Sequence, residues 1–384
     1  MLFHRNLVQT LAALGLTAIP LGGCGGNSAG PTAPAIPSGA GGFWRKTDFA
    51  TGGSPVWAAI GDVSNDGKPD LVVANYADNT VSVLLGTGSG GFGAKTDFAS
   101  GALPRSVAIG DVTGDGNPDL VVANSGGQTV SVLPGNGVGE FGVKTDFATG
   151  LIPVAVAIGD VNGDGRFDVA VANAGSNTVS VLLGADAGGF GTRNDFFTGL
   201  QPYSVAIGDV SGDDTPDLVV ANHGANKVSV WRGTGSGAFE AKTDFGTGVS
   251  PYSVAIGDVS GDDRPDVVVA NNGANTVSVL LGTGGGAFGR KTDFATGLNP
   301  IAVAIGDLNG DGRPDLVVAN NGANTVSVLL GSGGGGFRSR SDFPTGAAPR
   351  SVAIADLSGN GTPDLTVANA VDATVSVLLW VVLK

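Results

Sequence analysis

The sequence predicts an all-β fold, a seven-bladed β-propeller with four antiparallel strands per blade, and three observations carry that expectation. One block of sequence recurs seven times at a constant step of 49 residues, marked by Asp62, Asp111, Asp160, Asp209, Asp258, Asp307 and Asp356. Each copy holds four short segments rich in Val, Ile, Leu and Phe, separated by Gly, Asn, Asp and Pro, with no helical period. The array opens on a segment of the fourth kind, Phe43 to Phe49, and stops after one of the third kind, Thr374 to Leu379. The array therefore occupies residues 42–384, seven units of 49.

In the second unit the segments place strand A at Ser106 to Gly110, strand B at Leu120 to Ala123, strand C at Thr129 to Leu133 and strand D at Phe141 to Phe147. Because the ends are out of phase, the N-terminal D strand must complete the last blade beside its C strand, which would lock the ring and remove an open edge. An open solenoid is the alternative, but it calls for atypical polar capping repeats, and neither end has one. Trp44 and Trp380 fall in the two segments expected to pair and are read as a seal; Trp231 in strand C is read as packing. Lys46 and Asp48, repeated as Lys95 and Asp97, lie two apart on a strand and read as solvated ion pairs of small value.

Composition narrows the function. With 67 Gly in 384 residues, 42% hydrophobic and 14% charged residues, the chain is neither a disordered polyampholyte nor a coiled coil. A net charge of −14 excludes a nucleic-acid binder, which needs a basic face to displace phosphate counterions. Of 34 acidic residues only Glu140 and Glu240 are Glu, and short carboxylates suit turns and hard cations. The lone Cys24 forbids an intramolecular disulfide.

Residues 1–23 combine Arg5 with an apolar stretch from Leu7 to Pro20, too short for a comfortable membrane span, and read as an export signal. Leu21-Gly22-Gly23-Cys24 resembles the lipobox of bacterial lipoproteins, which implies lipidation of Cys24 and anchoring to the cell envelope, with the outer membrane or cell surface favoured. An ordinary signal cleaved near Ser28 and Ala29, giving a secreted protein, is the alternative. Residues 24–41 then form a Gly, Pro and Ala tether.

Between strands A and B every unit carries a nine-residue acidic loop. Positions 1, 3, 5, 7 and 9 are Asp62, Ser64, Asp66, Lys68 and Asp70 in the first, and Asp111, Thr113, Asp115, Asn117 and Asp119 in the second. They are Asp160, Asn162, Asp164, Arg166 and Asp168 in the third, and Asp209, Ser211, Asp213, Thr215 and Asp217 in the fourth. The fifth has Asp258, Ser260, Asp262, Arg264 and Asp266; the sixth, Asp307, Asn309, Asp311, Arg313 and Asp315; the seventh, Asp356, Ser358, Asn360, Thr362 and Asp364. Side-chain oxygens at 1, 3, 5 and 9 with the backbone carbonyl at 7 can wrap a hard cation that takes about 6–8 oxygens, and Ca²⁺ is expected in up to seven structural sites. A plain hairpin turn is the bland alternative, but it would not demand carboxylates at both 1 and 9 in every copy. Asp214 and Asp263 replace the Gly of position 6, which Asp tolerates in the left-handed region, and Asn360 makes the seventh site the weakest.

At this point Gly110 to Asn124, reading Gly-Asp-Val-Thr-Gly-Asp-Gly-Asn-Pro-Asp-Leu-Val-Val-Ala-Asn, and the Phe-Gly pairs Phe92-Gly93, Phe141-Gly142, Phe190-Gly191 and Phe288-Gly289 carry a resemblance. The chain resembles FG-GAP or VCBS-type repeat proteins, related in blade pattern to the propeller of integrin α-subunits. That resemblance implies seven blades with Ca²⁺ in the A–B loops, in surface or secreted proteins that bind proteins or carbohydrates. Val-Ala-Asn stands where integrins have Gly-Ala-Pro, so an integrin-like partner mode does not carry over.

Positions that differ between near-identical units point to a ligand surface. If A–B and C–D turns share one rim, the residue after the Pro of each D–A turn lies on the other, and reads Val56, Arg105, Val154, Tyr203, Tyr252, Ile301 and Arg350. Trp57 follows in the first blade, and the B–C turns add Tyr76, Asp78, His223 and Lys227. Arg350, Trp57 and Arg105 would come from consecutive blades, Tyr203 and Tyr252 from another adjacent pair, a composition suited to protein or sugar recognition. Unconstrained loop drift is the competing reading. Material for catalysis is thin, so a carbohydrate- or protein-binding module, monomeric and not an enzyme, is expected. A propeller polysaccharide lyase using Tyr203 or Arg105 is one alternative, and an envelope scaffold another.

Overall fold

Seven four-stranded antiparallel sheets form the molecule, one per blade. The computed structural model describes residues 43–185 and 188–381. The expected signal (1–23), Cys24 and tether lie outside the described residues. In the second blade strand A spans Pro104–Gly110, strand B Asp119–Asn124, strand C Thr129–Leu133 and strand D Thr145–Ala148, and the same order repeats round the ring. No α-helix occurs among the described residues.

Burial explains the composition of each strand. Strand B is buried at all six positions in every blade, so it reads as a continuous apolar run between two polar ends. Strand D is outermost and mostly exposed; in Thr145–Ala148 only Phe147 is partly covered. Here the structure corrects the expected span of Phe141 to Phe147. Phe141 bridges Gly135 within the C–D turn, and the strand begins at Thr145. Phe141 leaves the sheet because its ring packs edge-on against Phe98 of the preceding blade, centroids 5.3 Å apart. The same staple joins Phe49 to Phe92, Phe147 to Phe190, Phe196 to Phe239, Phe245 to Phe288 and Phe294 to Phe337 at 4.8–5.3 Å.

The ring closes as expected. Phe43–Ala50 pairs antiparallel with Thr374–Val381, in register from Phe43 opposite Val381 to Ala50 opposite Thr374. Both strands have eight residues because no C–D turn interrupts them. Trp44 lies opposite Trp380, and the two rings meet edge-on at 5.0 Å with only 6% of each residue exposed. Two further bonds join the first and last blades, from the N–H of Ala58 to Ser351 Oγ (2.9 Å) and from the N–H of Gly90 to the carbonyl of Leu357 (2.9 Å). Trp231 is 4% exposed and packs in the core, as the sequence reading has it.

Hydrogen bonds also sort the turns. The C–D turn of one blade reaches the A–B loop of the preceding one, as in Gly139 N–H to the carbonyl of Val63 (3.1 Å). The B–C turn bonds the D–A turn of its own blade, as in Tyr76 N–H to the carbonyl of Ser54 (3.0 Å). The acidic loops therefore occupy one rim, and the variable residues the other.

Candidate functional site

Strand A begins with an irregularity in every blade. Pro104 pairs with Asn124 and Ser106 with Ala123, so Arg105 between them is an extra, unpaired residue. The same slip leaves Val56, Val154, Tyr203, Tyr252, Ile301 and Arg350 unpaired. A bulge re-aims the side chain it carries. All seven of these side chains, with Trp57, Ser204 and Ser253, line one cavity of about 490 Å³ including its open mouth, at the centre of the D–A rim. The residue before each Pro has a positive φ, 54° at Leu103 and at Ile152, which sets the chain's entry into the bulge.

The lining has two chemically distinct sides. Arg350, Trp57 and Arg105 come from blades seven, one and two. The Nε atoms of both arginines and Nε1 of Trp57 are buried without a hydrogen-bond partner. Across the ring, Tyr203 and Tyr252 of blades four and five lie 4.8 Å apart. Tyr76 and His223 do not line the cavity. The guanidinium of Arg105 lies 5.2 Å from the centre of the Tyr76 ring, so Tyr76 supports the arginine, and His223 stacks on Tyr203 at 4.8 Å. Burial lowers the pKa of His223, which favours its neutral form.

An apolar arc on this rim was missed from sequence. Leu151, Leu200, Val249 and Leu298, in the D–A turns of blades three to six, are 49–58% exposed. The corresponding residues elsewhere are Gly53, Ala102 and Ala347, so the same comparison between units that found the bulge residues could have found the arc.

On the opposite rim each loop folds around its first aspartate. Asp62 accepts the N–H groups of Asp66 (3.1 Å) and Gly67 (2.8 Å), and Asp111, Asp160, Asp209, Asp258, Asp307 and Asp356 do the same in their own loops. Position 5 accepts the N–H of position 7, as Asp115 does from Asn117 at 2.8 Å. Position 3 bridges the two, most fully where Ser260 Oγ reaches Asp258 (3.1 Å) and Asp262 (2.9 Å). Asp214 and Asp263 take φ of 65° and 64°, the left-handed backbone expected of them.

Position 9 has a different setting. Asp70, Asp119, Asp168, Asp217, Asp266, Asp315 and Asp364 are fully buried. In each, Oδ2 accepts the N–H of loop position 2, such as Val112 (2.9 Å) for Asp119. Oδ1 accepts an N–H from just past strand C, such as that of Gly135 (2.8 Å), two residues beyond Leu133, a role Trp380 takes in the last blade. Burial raises the pKa of all seven; for Asp315, with added repulsion from Asp307 and Asp311, the value is pushed up to about 6.

Among the described residues no three His, Cys, Asp or Glu side chains form a group that could hold a metal by themselves. What converges in each loop is a mixed oxygen set, two acidic or amide side chains at 1 and 5 and a neutral one at 3. Lys68, Arg166, Arg264 and Arg313 lie 2.7–3.9 Å from the position-5 carboxylate of their own loops. The donors at positions 1, 3 and 5 are all hard oxygens, the chemistry that a divalent cation would take.

Solved structures with the same fold include BBS1N in a complex with ARL6DN, at TM-score 0.63 and 14% identity over 89% of this chain and 98% of that one. An Agrocybe aegerita lectin, described as recognising non-reducing terminal N-acetylglucosamine, aligns at TM-score 0.54 and 18% identity over 86% and 96%. Virginiamycin B lyase from Staphylococcus aureus aligns at TM-score 0.63 and 14% identity over 88% and 100%. Among curated proteins, none matches the chain by sequence. The model for FG-GAP-like repeats matches six overlapping segments, 62–122, 111–171, 160–220, 209–269, 258–318 and 307–367. With its acidic A–B loops recurring through a closed ring, the chain belongs to the FG-GAP-like repeat family.

Proposed function

We propose that this propeller is a carbohydrate-binding module whose ligand enters the central mouth of the D–A rim, while calcium in the A–B loops stiffens the opposite rim. One observation carries the reading: seven bulges aim seven variable side chains into one cavity, and these include two arginines and two tyrosines, with Trp57 beside them. Aromatic faces and arginine forks are the usual equipment of a recognition pocket. The solved lectin and the ARL6DN complex are in keeping with propellers that bind sugars or proteins. A glycan array probed with the protein and with Tyr252→Ala tests the site; retained glycans should be lost in the variant, and equal retention would overturn the assignment. Incubation with acidic polysaccharides should release no unsaturated products.

The apolar arc of Leu151, Leu200, Val249 and Leu298 favours a second reading, a protein partner seated on the same rim. Pulldown of one defined partner, lost on Leu200→Asp, would support it over the first. For calcium the ligands are the side chains at positions 1, 3 and 5 and the carbonyl at 7, with position 9 buttressing the loop from beneath. Chelation should lower Tm by several degrees, and excess calcium should restore it; an unchanged melt would remove the metal from the account. The lipobox-like Cys24 places the ring at the cell envelope in this reading, and mass spectrometry of the native N-terminus tests that.

A further inference from the structure

We propose that the mouth selects an acidic saccharide, holding its carboxylate or sulfate between Arg350, Trp57 and Arg105 while the ring of the same or the adjoining sugar lies against Tyr203 and Tyr252. This rests on the channel-mouth reading above and adds the chemical class of the ligand. The first observation is a pole that offers only donors. Arg350, Trp57 and Arg105 line the cavity from three consecutive blades, and the buried Nε, Nε1 and Nε atoms have no partner. Guanidinium and indole N–H groups cannot accept from one another, so no rearrangement among the three satisfies them. An oxyanion supplies the acceptors this pole lacks and matches the charge of two permanently protonated arginines.

The pole is not neutralised from within. Neither arginine forms an ion pair among the described residues. The rim carboxylates of the flanking B–C turns, Asp78 and Asp372, accept the backbone N–H groups of Gly53 and Ala347. Tyr76 holds Arg105 through its ring face, which orients the cation and leaves its charge uncancelled. The two unpaired guanidinium groups stand in a chain whose net charge is −14.

The second observation is the opposite pole. Tyr203 and Tyr252, backed by His223, form an aromatic wall in blades four and five. A pyranose has an apolar face that suits such a wall and an edge that can carry an acid group, so one ligand meets both demands.

The test uses an array of glycan pairs that differ only in one group, a uronate against its neutral hexose and a sulfated sugar against its unsulfated parent. Calorimetry then follows on the retained pair with the unaltered protein, Arg105→Gln, Arg350→Gln and Tyr252→Ala. Acidic members should bind about tenfold tighter than their neutral partners, and each arginine substitution should erase most of that preference. Tyr252→Ala should weaken both members alike. The uronate and sulfate arms identify which oxyanion the pole prefers. If neutral members bind equally well and the arginine variants match the unaltered protein while Tyr252→Ala does not, the acid-selective pole is overturned and the channel-mouth reading stands. If no glycan is retained, or an acidic peptide is retained instead, both fall. Should a glutamine variant fail to fold, displacement of the bound glycan by free acetate or sulfate, but not by chloride at equal ionic strength, reads the same pole in the unaltered protein; no displacement overturns it.

Discussion

At the scale of single residues, a buried polar relay repeats through the blades. Asn124, fully buried at the end of strand B, accepts the N–H of Gly101 (3.1 Å) and donates to Ser131 Oγ (2.7 Å), which donates to Asp146 (2.5 Å). Asp146 also pairs with Lys144. The Lys–Asp pair is therefore the outer end of a chain that reaches the core, which spacing alone did not show. Ser131→Ala should cost about 1–3 kcal/mol in denaturant unfolding, because it strands buried partners on both sides. Lys144→Ala, at the exposed end, should cost no more than about 1 kcal/mol. The position-9 aspartates give a pH signature. Burial pushes the pKa of Asp217 and Asp315 in the folded chain up to about 6, against the ordinary 3.8 of an aspartate. Between those values the folded chain keeps protons that the unfolded chain has lost, so their contribution is largest below the lower value and fades as pH rises through the upper one. Without calcium, stability should fall between about pH 4 and pH 6, by on the order of 1–2 kcal/mol for each such aspartate, and calcium should flatten the decline. Asp146 and Asp244, held low by Lys144 and Lys242 despite burial, act only at lower pH.

At the scale of elements, the turns hold more of the specification than the strands. Strand C of the second blade falls where its pattern puts it, Thr129–Leu133, because β-branched residues between turn formers leave little choice. The start of strand D did not follow its pattern, since Phe141 has the composition of a strand residue but serves as a staple between blades. Gly135 shows how tightly a turn can be specified: a Cβ there would lie 2.0 Å from the carbonyl oxygen of Pro118, while its N–H holds Asp119. Gly135→Ala should lower stability by about 3 kcal/mol or more. Gly246→Ala, with nothing within 4 Å, should raise it by about 0.4–1 kcal/mol; unfolding midpoints of the two variants check both.

For the whole molecule, closure decides stability and the integrity of the mouth together. Strand Phe43–Ala50 supplies Asp48 to Ser376 of the last blade at 2.6 Å, the same bond that each other blade makes within itself. It also covers the edge of Thr374–Val381 and sets blade seven, with Arg350, against blade one, with Trp57. Deleting residues through Ala50 should leave an unpaired edge, lower Tm by more than 10 °C and shift the protein to larger species than the unaltered chain in light scattering. Trp44→Ala, which keeps the strand but removes the ring packed on Trp380 and Phe343, should cost about 3–5 kcal/mol without that shift.

Blade number, strand order and the meeting of the two ends were legible in the residues, because an invariant period of 49 leaves one way to pair a lone D segment with a lone C segment. The sequence also singled out the variable residues after each Pro, since seven near-copies expose what differs. The tertiary structure alone decided that these residues are bulged and converge on one cavity, that position 9 is buried beneath its loop, and that Tyr76 and His223 stand behind the lining. Periodicity describes one blade at a time, whereas a central mouth exists only when seven blades are set round a common axis, and the direction of a side chain at a bulge depends on the register of its neighbour.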